Sequence, residues 1–175
     1  AEEITFSGGK RDGRSTVWLT PEEKQEEKFY KNGKLDGPST FWENGYRSTM
    51  TTYKSDSPEG PWVIWFSNSD QIKEQGFHQK GIREGLTTYY YEDGTMQREG
   101  FFKEGLPDGM WTYWNKKGEK DFDFDFGSGL QHISLEDLVE RESTFYKLGE
   151  DTPFTGIITQ ENPEADYLFL GRTKG

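Results

Sequence analysis

A loop-closing glycine returns at nearly constant intervals along the first part of the chain. It falls at Gly13, Gly37, Gly60, Gly85 and Gly109, with spacings of 24, 23, 25 and 24 residues. A fixed period of this size is typical of tandem repeats, in which each unit is too small to bury a core alone and packs on its neighbours. The sequence therefore predicts a repeat array rather than an ordinary globular domain.

Each copy combines two turns with an aromatic-rich segment. The fifth copy reads FKEGLPDGMWTYWNKKG over residues 102–118, and the second reads YKNGKLDG and continues to Asn44-Gly45. Asn-Gly favours tight hairpin turns, because both residues tolerate a positive φ. We predict a turn, a strand, a turn and a strand in each copy. The predicted fold is all-β: an elongated, single-layer antiparallel β-ribbon of ~24-residue hairpin repeats, with about ten strands.

The side-chain pattern within a copy predicts two apolar faces. Counted from the loop glycine, the second and fourth residues (Trp111 and Tyr113) point to one face of the strand, and the fifth (Trp114) points to the other. The return strands contain Gly76 and Gly100. A glycine inside a strand costs stability. We therefore expect a cross-strand Trp or Tyr to lie over each bare backbone.

Composition limits the possible partners. The formal net charge is −11, and aromatic residues make up 16 % of the chain. Each aromatic side chain buries about 150–250 Å², so a thin core is possible. The acidic balance argues against nucleic acid and anionic membranes as partners. No apolar run is long enough for a transmembrane segment. The absence of cysteine excludes disulfides and thiol chemistry.

The chain begins Ala1-Glu2-Glu3 without an initiator methionine. We expect a mature form after signal-peptide removal, exported to the periplasm or cell surface. A cytoplasmic location is the alternative.

The repeat units carry a family resemblance. The segments YKNGKLDG…FWENG, GFFKEGLPDGMWTYWNKKG and GLTTYYYEDG resemble the MORN repeat, in particular the bacterial variant in YwqK-like antitoxins. The resemblance covers residues 4–126 well and 145–158 partly, and it departs at Asp56 and Ser69, which stand at glycine positions. It implies β-hairpin repeats, no shared catalytic residues, and an antitoxin or immunity role for some members.

The pattern changes after Gly118. Residues 121–126 alternate Asp and Phe, which predicts a strand with one acidic and one apolar face. A capping serine at 134 and helically spaced apolar residues predict one short helix over 135–142. Residues 167–170 are predicted to add a last strand. We therefore assign residues 1–126 to the repeats, and residues 127–175 to a C-terminal segment with that helix and a partial further repeat.

No residue pattern points to catalysis. Asp121, Asp123 and Asp125 share a strand face, but carboxylates at that spacing lie about 7 Å apart, so we interpret them as a solvated acidic face rather than a calcium site. His78 and His132 have no ligand-spaced partner, and His78 occupies a packing position. No acyl-transfer motif or phosphate-binding loop is present. We predict neither an enzyme, nor a metal site, nor a cofactor.

The aromatic residues are the one feature that points to binding. In a single-layer sheet they form the core, yet both faces carry them, and one face cannot bury them all. Exposed rings in a row mark a partner site. The candidate partner-binding residues are Trp42, Trp62, Trp65, Tyr89, Tyr90, Trp111, Tyr113 and Trp114.

Two functions fit these patterns. The leading hypothesis is a non-catalytic protein-interaction module, to which the family resemblance adds an antitoxin or immunity role. The alternative is a glycan- or cell-wall-binding repeat protein that uses the aromatic stripe. The sequence leaves the partner's identity and the oligomeric state open.

Overall fold

The computed structural model describes residues 1–127, 131–134, 137–141, 144–149, 156–162 and 165–173. The chain divides into two compact units, Ala1–Phe124 and Asp125–Gly175. The fold is almost entirely antiparallel β-sheet, and no α-helix occurs among the described residues. The predicted all-β, antiparallel, open-sheet fold is confirmed.

The first unit is built on one sheet of 12 strands, which neighbour each other in chain order except that the two-residue β8 pairs with β7 beside the path. The strands are β1 (Glu2–Ser7), β2 (Lys10–Trp18), β3 (Lys24–Lys31), β4 (Lys34–Glu43), β5 (Tyr46–Lys54), β6 (Ser57–Trp65), β7 (Ile72–Gln79), β8 (Ile82–Arg83), β9 (Gly85–Tyr90), β10 (Met96–Lys103), β11 (Leu106–Trp114) and β12 (Lys120–Asp125). Strand β12 confirms the strand predicted from the Asp-Phe alternation.

Left-handed backbone in the turns fixes the register of the hairpins. Asn44 and Gly45 have φ values of 51° and 82°. Two positive φ angles in succession give a turn whose twist matches that of the flanking strands. Asp56, one of the departures from the repeat pattern, adopts φ 71° after Ser55 at 51°. Because Asp tolerates this region better than most residues, the turn forms without its glycine.

A carboxylate links each copy to the next. An acid stands directly before each loop glycine, and in four copies it accepts a hydrogen bond from a backbone N–H in the following copy's turn. The pairs are Asp12 with Asn32 (3.0 Å), Asp36 with Ser55 (3.4 Å), Glu59 with Lys80 (2.9 Å) and Glu84 with Glu104 (2.9 Å). We call these four bonds the turn ladder. It satisfies turn N–H groups and ties neighbouring copies together.

Loss of one such bond should lower stability measurably. We expect Glu84→Ala to reduce the free energy of unfolding by about 1 kcal/mol, because the N–H of Glu104 loses its charged acceptor. Glu92→Ala, in an exposed turn, is the matched control and should change it by less than about 0.5 kcal/mol. Equilibrium urea denaturation measures both. Equal effects of the two substitutions would show that the ladder does not stabilise the array.

The second unit contains two smaller sheets. One has the order β13–β16–β17, and the other pairs β14 with β15. The strands are β13 (Gln131–Ser134), β14 (Leu138–Arg141), β15 (Thr144–Lys147), β16 (Gly156–Asn162) and β17 (Ala165–Thr173). Strand β13 runs parallel to β16, whereas the other pairs are antiparallel. The last strand predicted at 167–170 lies within β17 and is confirmed.

The helix predicted over 135–142 is wrong. Leu138–Arg141 forms β14, which pairs with β15 from Leu138↔Lys147 to Arg141↔Thr144. Three apolar residues within five positions fit a helix or a strand, so hairpin pairing decides between them. Residues 135, 136 and 142 lie outside the described residues, as do residues 150–155 of the predicted partial repeat.

Candidate functional site

One face of the large sheet carries the best-buried rings. Trp62 pairs with Gly76, and Arg98 pairs with both Tyr89 and Tyr113. Directly paired residues share a face, so these positions lie on one side of the sheet. We call this side the core face. Trp62 and Trp111 are each 2 % exposed and Tyr89 is 6 % exposed.

Two of these tryptophans lie on glycine backbone. A Cβ added at Gly76 would lie 2.8 Å from Cζ2 of Trp62, and one added at Gly100 would overlap the indole of Trp111. Trp111 also donates its Nε1–H to the carbonyl of Phe101 (3.1 Å). The predicted covering of Gly76 and Gly100 by cross-strand aromatic rings is confirmed. The missing side chains make the room that lets each ring lie flat on the sheet.

An arginine covers part of the core face. The guanidinium of Arg83 lies 4.3 Å from the ring centre of Trp62. It also bonds the carboxylate of Glu74 (3.3 Å) and donates to the hydroxyl of Tyr89 (3.0 Å). A guanidinium stacks on an aromatic face without losing its in-plane hydrogen bonds. Arg83 therefore shields Trp62 from water while its own charge stays compensated.

Strands β10 to β12 extend the core face. Arg98 lies 4.0 Å from the ring centre of Tyr89. Tyr113 stacks on Phe122 with ring centres 4.5 Å apart. Burial raises the pKa of the Tyr113 hydroxyl, and the charge of Arg98 partly opposes this shift. The stacked pair thus extends the apolar surface of the core face to the edge strand β12.

The opposite face carries the second set of predicted residues. Trp42, Trp65, Tyr90 and Trp114 alternate with core-face positions on their strands, so they point to the other side. Cations lie over two of these rings, with Lys24 5.4 Å from the centre of Trp42 and Arg47 4.7 Å from that of Trp65. Two aromatic rows on two faces match the predicted pattern.

The eight aromatic residues predicted to bind a partner differ in how far they are buried. Trp62, Trp65, Tyr89 and Trp111 are buried. The other four, Trp42, Tyr90, Tyr113 and Trp114, are half-buried. The four buried rings stabilise the sheet and offer almost no free surface. The four half-buried rings keep part of their surface open to solvent.

A different set of side chains is exposed on neighbouring strands. Phe77 is 46 %, Leu86 47 %, Phe101 56 % and Met110 57 % exposed. Each stands next to a core-face position (Gly76, Thr87, Gly100 and Trp111) and so points to the opposite face. We call these four residues the exposed row.

The row crosses four neighbouring strands. Leu86 pairs directly with Phe101. The register shifts between Gln75↔Thr88 and His78↔Arg83, so Phe77 accepts a backbone hydrogen bond from Glu84, two residues before Leu86. Phe101 likewise pairs with Asp108, two residues before Met110, so the row is staggered along the strands at these two steps. Pro61, also exposed, pairs with Phe77 and prolongs the row by one strand. The row could have been recognised in the sequence, although the aromatic residues are more conspicuous. Each of its four members directly follows a glycine.

The row ends beside acidic side chains. Asp121 and Asp123 on β12 are exposed, and Asp123 accepts a hydrogen bond from the hydroxyl of Thr112 (2.9 Å). Thr112 is two residues beyond Met110, so it lies on the face of the exposed row. Hydrogen bonds from Lys120 and Thr112 lower the pKa of Asp123, which is therefore ionised at neutral pH.

Among the described residues, no group of three His, Asp or Glu side chains is arranged to hold a metal ion. The same residues form no helix with the length and apolar character needed to cross a membrane. His78 lies 5.6 Å from Trp62, ring centre to ring centre, in the packing position predicted for it.

Neither a known protein-family model nor a curated protein matches the sequence significantly. The MORN-like resemblance remains a prediction.

Proposed function

We propose that the chain is a non-catalytic protein-interaction module that binds a protein partner on its exposed row. The exposure of Phe77, Leu86, Phe101 and Met110 on one face of four neighbouring strands carries the proposal. With about half of each side chain in water, the row offers on the order of 400 Å² of apolar surface. Patches of about 300–600 Å² are the largest on a typical monomer and are often functional.

Charge favours a basic partner. The chain has a net charge of −11, and Asp121 and Asp123 stand at one end of the row. Electrostatic attraction raises the association rate of an oppositely charged partner and disfavours an acidic one. The resemblance to YwqK-like proteins adds an antitoxin or immunity role, in which a basic toxin is the partner.

The glycan-binding alternative has less support. Sugar rings stack on exposed aromatic faces, whereas Trp62, Trp65 and Trp111 are at most 8 % exposed. Unchanged tryptophan fluorescence across a panel of sugars and choline would count against it.

The test is capture from an extract of the source organism. Immobilised wild-type chain, the double variant Phe77→Ser/Phe101→Ser, and Leu19→Ser are compared. Leu19 is 69 % exposed and lies off the row. We expect one protein at near-stoichiometric yield with the wild type and Leu19→Ser, and about ten-fold less with the double variant. Mass spectrometry identifies it.

Two results would contradict the proposal. One is retention of no protein by the wild type. The other is equal retention of the same proteins by all three chains, since capture would then be independent of the row. Retention of the wild type on insoluble cell-wall material alone would favour the glycan alternative instead.

A further inference from the structure

The exposed row has a spacing that selects what can lie along it. Its four side chains stand on neighbouring strands β7, β9, β10 and β11. Neighbouring strands are about 4.8 Å apart, so the row spans about 14 Å at right angles to the strands. Measured across the strands, a partner must present apolar groups at nearly this interval to contact every member.

An α-helix meets this requirement. One helical turn advances about 5.4 Å, so apolar residues at i, i+4, i+7 and i+11 stay within about 2 Å of the row's spacing over its whole length. An extended peptide presents same-face side chains about every 6.7 Å. A polyproline helix repeats about every 9 Å. Both fall out of step with the row by its third or fourth member.

Charge favours a basic helix over a second copy of this chain as the occupant. Two copies would each bring a net charge of −11 and repel each other. Asp123 is already ion-paired with Lys120, so the exposed carboxylate of Asp121 beyond Met110 is the group that complements lysine or arginine at one end of a helix.

We infer that the exposed row binds an amphipathic helix of a basic protein, laid across the strands with its positively charged end over β12. The inference rests on the proposed function and specifies its partner. The row supplies the apolar contact, and the carboxylate of Asp121 fixes the direction of the helix.

A synthetic peptide tests this directly. The probe is a fluorescently labelled helix of about 18 residues, with leucine at i, i+4, i+7 and i+11, lysine clustered at one end and alanine elsewhere. The control peptide has the same composition in an order that spreads the leucines around the helix. A third peptide replaces lysine with glutamate. Fluorescence anisotropy measures the binding of each peptide to the full chain.

We expect the patterned peptide to bind the wild type about ten-fold or more tightly than the scrambled or the glutamate peptide. Phe77→Ser/Phe101→Ser should weaken binding of the patterned peptide about ten-fold, and Leu19→Ser should leave it unchanged. Asp121→Asn should weaken it about two-fold at low salt and little at high salt. Far-ultraviolet circular dichroism checks that every variant retains its β-sheet.

Three results would overturn the inference: no binding of the patterned peptide, equal binding of the patterned and scrambled peptides, or unchanged affinity in the double variant. The two peptides are compared on the wild type, so this result does not depend on how any variant folds. Row-dependent capture of a protein without peptide binding would reject the helix and keep the interaction function. Peptide binding without row-dependent capture would reject the interaction function.

Discussion

Gly100→Ala is expected to destabilise the protein by about 3 kcal/mol or more. The added methyl group would overlap the indole of Trp111, which is 2 % exposed and hydrogen-bonded to Phe101. The ring cannot move without breaking this bond and losing its contact with the strand. Gly100 has no positive φ, so the whole cost is steric.

Gly109→Ala is the matched control for this substitution. A Cβ at Gly109 meets no atom within 4 Å, and only its φ of 65° opposes alanine. The expected loss is about 1–2 kcal/mol. Urea denaturation followed by tryptophan fluorescence compares the two variants. A Gly100→Ala protein as stable as Gly109→Ala would mean that Trp111 has another position available at little cost.

Trp62→Ala is expected to cost about 3–5 kcal/mol. The ring is 2 % exposed, lies over Gly76 and supports the guanidinium of Arg83. Its removal leaves a cavity on the core face of the sheet. The substitution also removes the ring on which the guanidinium of Arg83, paired with Glu74, is stacked.

Phe77→Ala distinguishes core from surface on the same sheet. Phe77 lies beside Gly76 in the chain but is 46 % exposed on the opposite face. We expect a loss below about 1 kcal/mol, because alanine leaves no enclosed cavity there. Thermal denaturation of the two variants checks the contrast. Comparable losses would mean that the exposed row contributes to the core.

The fold was predictable because two physical constraints produce recognisable patterns in the sequence. Stacking of equal units imposes a fixed period, which the loop glycines record. A large ring on a sheet needs bare backbone beneath it, which Gly76 and Gly100 provide. The short helix was predicted wrongly because residues 135–142 are too few to establish a helical period against a strand pair.

The candidate site was harder to predict because burial depends on what covers a ring. Trp62 is shielded by Arg83, which lies on a different strand and far along the chain. Nothing in the pattern around Trp62 indicates this cover. The exposed row is less conspicuous because it mixes Phe, Leu and Met, and its members are recognised by their place after glycine rather than by residue type.

The turn ladder has a consequence for how proteins of this kind change length. Each carboxylate reaches only the copy that follows it, as Glu59 does with Lys80 and Glu84 with Glu104. The bonds of the turn ladder do not depend on how many copies lie on either side. Duplication or deletion of one whole copy by recombination therefore adds or removes a single rung and leaves the others intact. The number of copies can therefore change in whole steps, and the sheet lengthens or shortens without a new fold.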